Sequence, residues 1–119
     1  MTDTFKDDEK LYRAVLPNGM YWKENGKLSS AAFLDRKGLS VDRGNYRPDE
    51  EAVRDIRRHL QGSVVSVTVE DCRTVEASVL YRPSRRNIYH SEVHGGTERP
   101  PLSPRQRKYL ANAAALLAD

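Results

Sequence analysis

The order of segments along this chain predicts an α+β fold, a single small domain with a mostly antiparallel sheet and two main helices. Three observations carry that reading. Short runs rich in β-branched and aromatic residues recur between Asn-Gly, Gly and Pro turn signals, above all at Ser63–Val69 (SVVSVTV). One helical stretch, about 48–61, interrupts these runs, and a second, about 104–118, closes the chain. At 119 residues there is room for one core and not two, and 38% hydrophobic with 31% charged residues suits a packed domain better than a disordered tail.

Residues 1–8 are mostly charged or polar and read as a flexible lead-in, leaving 9–119 as the domain. From Lys10 onward, Leu11, Arg13 and Val15 alternate with Tyr12, Ala14 and Leu16, a strand with some apolar character on both faces. Pro17-Asn18-Gly19 stops it. A short strand at Met20–Lys23 precedes a second pair, Asn25-Gly26, and two Asn-Gly pairs this close predict a tight antiparallel ribbon. Lys27–Phe33 suits a strand or a short helix capped by Ser29 or Ser30, and Leu39–Asp42 a short strand.

The first helix begins at Pro48, which fits a first-turn position, and Asp49, Glu50 and Glu51 sit at the positive end of its dipole. Val53, Ile56 and Leu60 form the apolar stripe, Glu50 is spaced to pair with Arg54, and Gly62 is the stop. Ser63–Val69 then reads as a central strand, with Val65, Val67 and Val69 on one face and Val64 and Thr68 on the other. A turn at 70–74, a strand at 75–82, a basic loop at 83–87, a strand at 88–94 and a linker at 97–102 follow. The last helix opens on a capping box, Ser103 with Gln106, and has Pro104 at its first position. Leu110, Ala113, Ala114 and Leu117 are its expected buried stripe.

Charge is unevenly spread. The net is +3, arginine supplies 14 of the 20 cations, residues 1–10 sum to −2 and residues 82–119 to +4. A basic end of this kind draws in anionic partners even when the net charge is small. No apolar run approaches membrane length, and MTDTFKDDEK has neither the basic start nor the apolar core of a signal peptide, so no membrane association and a cytoplasmic location are expected. Cys72 stands alone, which excludes an internal disulfide and a cysteine zinc cage. It could pair with His90 as nucleophile and base, but the adjacent Asp71 carboxylate works against thiolate formation, and a structural role is expected. No phosphate-loop or dinucleotide fingerprint is present and no cofactor is expected.

Two constellations could carry chemistry. His90, Glu92 and His94 alternate with Tyr89, Ser91 and Val93, so on a strand they line one face. They are weak metal candidates, because His90 and His94 would lie roughly 13 Å apart along a straight strand; no bound metal is expected. The second constellation is basic. Arg105, Arg107 and Lys108 open the last helix, where the dipole favours anions, and cations placed there suggest an anion site built with free backbone N–H groups. Arg85, Arg86 and Arg99 lie in the two preceding loops and are expected to converge on it. Tyr81, Tyr89 and Tyr109 are interleaved with these cations, as base-stacking residues would be. Arg54, Arg57 and Arg58 form another basic face, expected to be ordinary solvated surface.

Leu11-Tyr12-Arg13, Ser29–Phe33, Leu39–Asp42, Asn87, His90, Gly95 and the Arg-, Lys- and Ala-rich last helix together resemble a group of short bacterial proteins with no assigned activity. That resemblance implies a bacterial, intracellular, stand-alone domain. Arg13, Ser29 or Ser30, and Glu92 also bear a fainter likeness to the ADP-ribosyltransferases, which implies a small NAD-using transferase with Arg13, Ser29, His90 and Glu92 in one cleft; the acidic loop that precedes that family's glutamate has no counterpart here. The leading expectation is a non-enzymatic protein that binds an anionic partner, RNA or DNA, through Arg85, Arg86, Arg99, Arg105, Arg107 and Lys108. A third is a protein-binding subunit, for instance of a toxin–antitoxin or phage-defence pair.

Overall fold

The computed structural model describes residues 1–119 and is α+β. Its elements are β1 (Lys10–Val15), a 3-10 turn (Ser30–Phe33), β2 (Leu39–Arg43), α1 (Asp49–Arg57), β3 (Ser63–Thr68), α2 (Val69–Thr74), β4 (Ser78–Tyr81), β5 (His90–His94), α3 (Pro104–Ala113) and β6 (Ala115–Ala118). The six strands form one antiparallel sheet in the order β4-β5-β2-β1-β3-β6.

Period-two alternation divides the core. Leu11, Leu39, Val41, Val65, Val67 and Val93 point to one face and pack with Phe33, Val69, Cys72, Leu110 and Ala111 from the 3-10 turn, α2 and α3. On the other face Tyr12 and Val64 meet Ala52 and Ile56 of α1. The valines of β3 split between these faces as alternation predicts. α1 carries Asp49, Glu50 and Glu51 in its first turn, and Asp49 is held below the usual carboxylate range by hydrogen bonds from the Tyr12 hydroxyl and the Lys10 ammonium.

Several boundaries differ from the expectation, each for a tertiary reason. α1 ends at Arg57 rather than near 61, with Pro48 just outside it. Gly62 lies against the Val15 carbonyl at φ +117, so residues 58–62 are used to turn into β3, and Leu60 is 58% exposed instead of extending the stripe. Glu50 and Arg54 form no ion pair. α3 ends at Ala113, and residues 115–118 pair with β3 as β6. Alanine and leucine favour helix, but the free edge of β3 offers a ladder of backbone hydrogen bonds, which overrides a weak propensity. The segment expected to turn at 70–74 is a short helix, capped reciprocally by Thr68 and Asp71. The Asn-Gly ribbon is a loop with a single bridge, Trp22 to Leu28. There the Asn18 and Asn25 side chains accept hydrogen bonds from the Met20 and Lys27 amides, so asparagine turns the chain through its side chain and not by adopting positive φ.

Residues 2–9 are tied to the domain. Glu9 and Arg43 form a two-pronged ion pair, both contacts 2.8 Å, with each side chain almost fully buried. The remaining Arg43 donors reach the Thr2 and Thr4 carbonyls, and its guanidinium lies between the Phe5 and Tyr81 rings, 4.1 and 4.8 Å from their centroids. Phe5 itself joins the core.

A candidate anion-binding groove

The loop between β4 and β5 is built to display two arginines. Ser84 and Asn87 exchange backbone hydrogen bonds of 3.0 and 3.3 Å, closing a tight turn with Arg85 and Arg86 at its tip, both exposed. Asn87 anchors that turn. Its amide donates to Asp42 Oδ1 on β2 at 2.8 Å, and its carbonyl oxygen accepts from the Tyr89 amide at 3.0 Å. Neither arginine has a carboxylate within ion-pair distance, in contrast to Arg43 and Arg47.

Across from this turn lies the C-terminal end of α1. Arg58, His59 and Leu60 there, with Arg85, Arg86 and Ile88 on the other wall, enclose a groove of about 340 Å³. Its acidic residues are already engaged. Asp55 is paired with Arg47 at 2.7 Å and with Arg58 at 3.6 Å, and Asp42 takes the Asn87 amide. Arg47 also stacks on Tyr89, 3.4 Å from the ring centroid, which stiffens the floor. The Arg85 and Arg86 wall therefore carries positive charge without a carboxylate partner, and the exposed Leu60 and Ile88 add an apolar rim.

The remaining basic residues lie elsewhere. Arg99, Arg105, Arg107 and Lys108 follow the far end of β5, where Gln106 on α3 donates to the Gly95 carbonyl at 3.0 Å. Arg85 and Arg86 precede the near end of that strand, so the expected convergence on the start of α3 does not occur. The helix start is also largely satisfied. Pro104 has no N–H, the Gln106 amide donates to the Ser103 hydroxyl, and the Arg107 amide donates to the Ser103 carbonyl, which leaves only the Arg105 amide free. The Arg107 side chain donates to the Leu102 carbonyl at 3.0 Å, and Arg105 lies 4.0 Å from Glu76.

The His90, Glu92 and His94 row faces the α1 side of the sheet, since Ser91 and Val93 between them are buried in the other. Glu92 sits between the two imidazoles: His94 Nε2 is 2.9 Å from Oε1 and His90 Nε2 is 3.9 Å from Oε2. The shorter contact assigns the His94 proton to Nε2. No group of three such side chains is arranged as a metal site. His94 is buried above Gly38, where a Cβ would come within 2.5 Å of its ring at a backbone φ of +113. Gly38→Ala is therefore expected to cost about 2–4 kcal/mol, from left-handed strain plus displacement of a packed ring, measurable by urea unfolding.

Arg13 and Ser29 are on the opposite face from Glu92. β1 stops pairing with β2 beyond Tyr12 and Asp42, and Arg13 fills the opening, donating to the Ala32 carbonyl at 2.9 Å and the Ser40 carbonyl at 2.8 Å. Burial lowers its pKa from the usual arginine range. The Ser29 hydroxyl caps the 3-10 turn by accepting from the Ala31 amide. Arg13, Ser29, His90 and Glu92 thus form no common cleft. Cys72 is buried in α2, and desolvation, with Asp71 second, pushes its thiol up to about 12, so it is a core residue rather than a nucleophile.

No family model matches this chain, and no curated protein or solved structure is significantly similar to it. The fold and the groove define a six-stranded antiparallel α+β domain with a localised cationic surface. No helix is long and apolar enough to cross a membrane.

Proposed function

We propose that this domain binds an anionic polymer, RNA or DNA, by laying its phosphate backbone in the groove between α1 and the Ser84–Asn87 turn. The observation that carries the reading is the pair Arg85 and Arg86, adjacent, exposed and free of carboxylate partners, on a turn anchored to β2 and facing Arg58 and His59. Guanidinium groups match phosphate oxygens in planar, two-pronged geometry, and an anchored turn reduces the ordering cost of binding. Contacts of this kind position a nucleic acid without reading its bases, so little sequence preference is expected. The domain acts here as a binding module.

Backbone amide chemical shifts recorded during titration with a short single-stranded oligonucleotide test the location. Shifts are expected to concentrate at residues 57–60 and 84–90, while residues 105–108 stay still. Perturbation confined to the start of α3, or none at all at low salt, would overturn the assignment.

A further inference from the structure

We infer that β6 is a self-association edge, through which two copies of this chain join their sheets antiparallel and bring their α1 helices side by side. The two ends of the sheet differ. β4 is followed at once by Arg82 and Pro83, a charge and an imino acid that discourage strand addition, whereas no charged residue lies between Lys108 and Asp119. β6 presents Ala115-Leu116-Leu117-Ala118 with no strand on its outer side, and Leu116 is 51% exposed.

A groove flanks this edge on each face. One, of about 650 Å³, runs along α1 and is lined by Val53, Leu117 and Ala118 together with Glu50, Arg54 and Arg57. The other, of about 410 Å³, is lined by Trp22, Leu28, Ala111, Ala114 and Leu116. A strand added to β6 sends alternate side chains to the two faces, so both grooves would be filled at once.

Charge selects a second copy as the occupant. Asp49 at the start of α1 bonds to Lys10, which is paired with Thr68. Arg57 at its end reaches the Gly62 and Asp119 carbonyls, beside Ser63. β6 runs the same way, from Ala115 opposite Ser66 to Ala118 opposite Val64. Two copies paired antiparallel through β6 are related by a two-fold axis normal to the sheet. Their α1 helices then lie antiparallel on the same face, with Val53 central and the unpaired Glu50 of each copy facing Arg57 of the other. The surface is thus self-complementary, acidic where the second copy is basic, as an isologous contact requires. Directly opposed residues share a face, so the axis passes through a residue pair, Leu116 to Leu116 or Leu117 to Leu117.

Sedimentation or light scattering across micromolar to millimolar protein should show a dimer of twice the chain mass. Leu116→Lys should leave the monomer folded, because that side chain is half exposed, and should weaken the dimer Kd by at least about tenfold. Glu50→Arg alone and Arg57→Glu alone should each be monomeric, and mixing these two variants should restore dimers, because every contact in the mixed pair is again between opposite charges. A wild type that stays monomeric would overturn the inference and leave the edge to another chain. A Leu116→Lys dimer of unchanged Kd, or no mixed dimer, would also overturn it. The Arg85→Gln, Arg86→Gln variant should dimerise normally, so this inference and the anion-binding reading fail separately.

Discussion

Val67→Asp is expected to unfold the domain or leave it only marginally folded. Val67 is 4% exposed, sits within the sheet opposite Leu11 on β1, and faces the larger core. An aspartate there enters an apolar layer, and the arginines on that face, Arg13 and Arg43, are already committed to the Ala32 and Ser40 carbonyls and to Glu9. It must either keep a buried, unpaired charge or take up a proton at neutral pH, and both are costly. A loss of about 4 kcal/mol or more is anticipated, against the roughly 5–15 kcal/mol total stability of a natural domain. Circular dichroism should show the cooperative melt lost or lowered by tens of degrees. A melt unchanged from wild type would contradict the placement of β3 in the core.

Arg43→Met is expected to have the second largest effect. It leaves the Glu9 carboxylate, 2% exposed, with the Asn45 amide as its only remaining partner, and it also frees the Thr2 and Thr4 carbonyls. Breaking a buried pair from one side costs about 3–5 kcal/mol, whereas replacing both members with apolar residues is often close to neutral. The double variant Glu9→Leu, Arg43→Met should therefore be more stable than Arg43→Met alone by at least about 2 kcal/mol, a non-additivity that urea denaturation resolves. In Arg43→Met, residues 1–8 should also become susceptible to proteolysis, because Arg43 ties them to the domain. Additive losses would mean that the pair does not act as a unit.

What was legible in the sequence was local. The alternation of β3 and β5, the capping box of α3 and the acidic first turn of α1 each lie within a few residues, and each forms as its chemistry predicts. What was not legible depended on partners distant in sequence. The charged start of the chain reads as a loose tail until Arg43 is seen between Phe5 and Tyr81. Residues 115–118 are helix formers that become a strand because β3 has a free edge. α2 did carry a signal, Thr68 and Asp71 at capping-box spacing, hidden because aspartate stands where glutamate or glutamine is usual. At the candidate site, Arg85 and Arg86 were marked by the sequence alone. Their partners Arg58 and His59 were read as ordinary solvated surface or not at all, because only the crossing of α1 over the sheet brings that helix end to the loop. The expected gathering of six cations failed because β5 separates Arg85 and Arg86 from the start of α3.

The central claim is that phosphate binding resides in the α1 groove and not at α3, and a salt titration of oligonucleotide affinity tests it most directly. With about four phosphate contacts, log affinity against log salt should fall with a slope near −3 to −4, the shallower value applying to single strands. Arg85→Gln with Arg86→Gln should flatten that slope by about one to two units, and Arg105→Gln with Arg107→Gln should leave it unchanged. Fluorescence anisotropy at several salt concentrations supplies both numbers. The reverse pattern, with the slope lost on changing Arg105 and Arg107 and kept on changing Arg85 and Arg86, would contradict the account, as would the absence of binding at low salt.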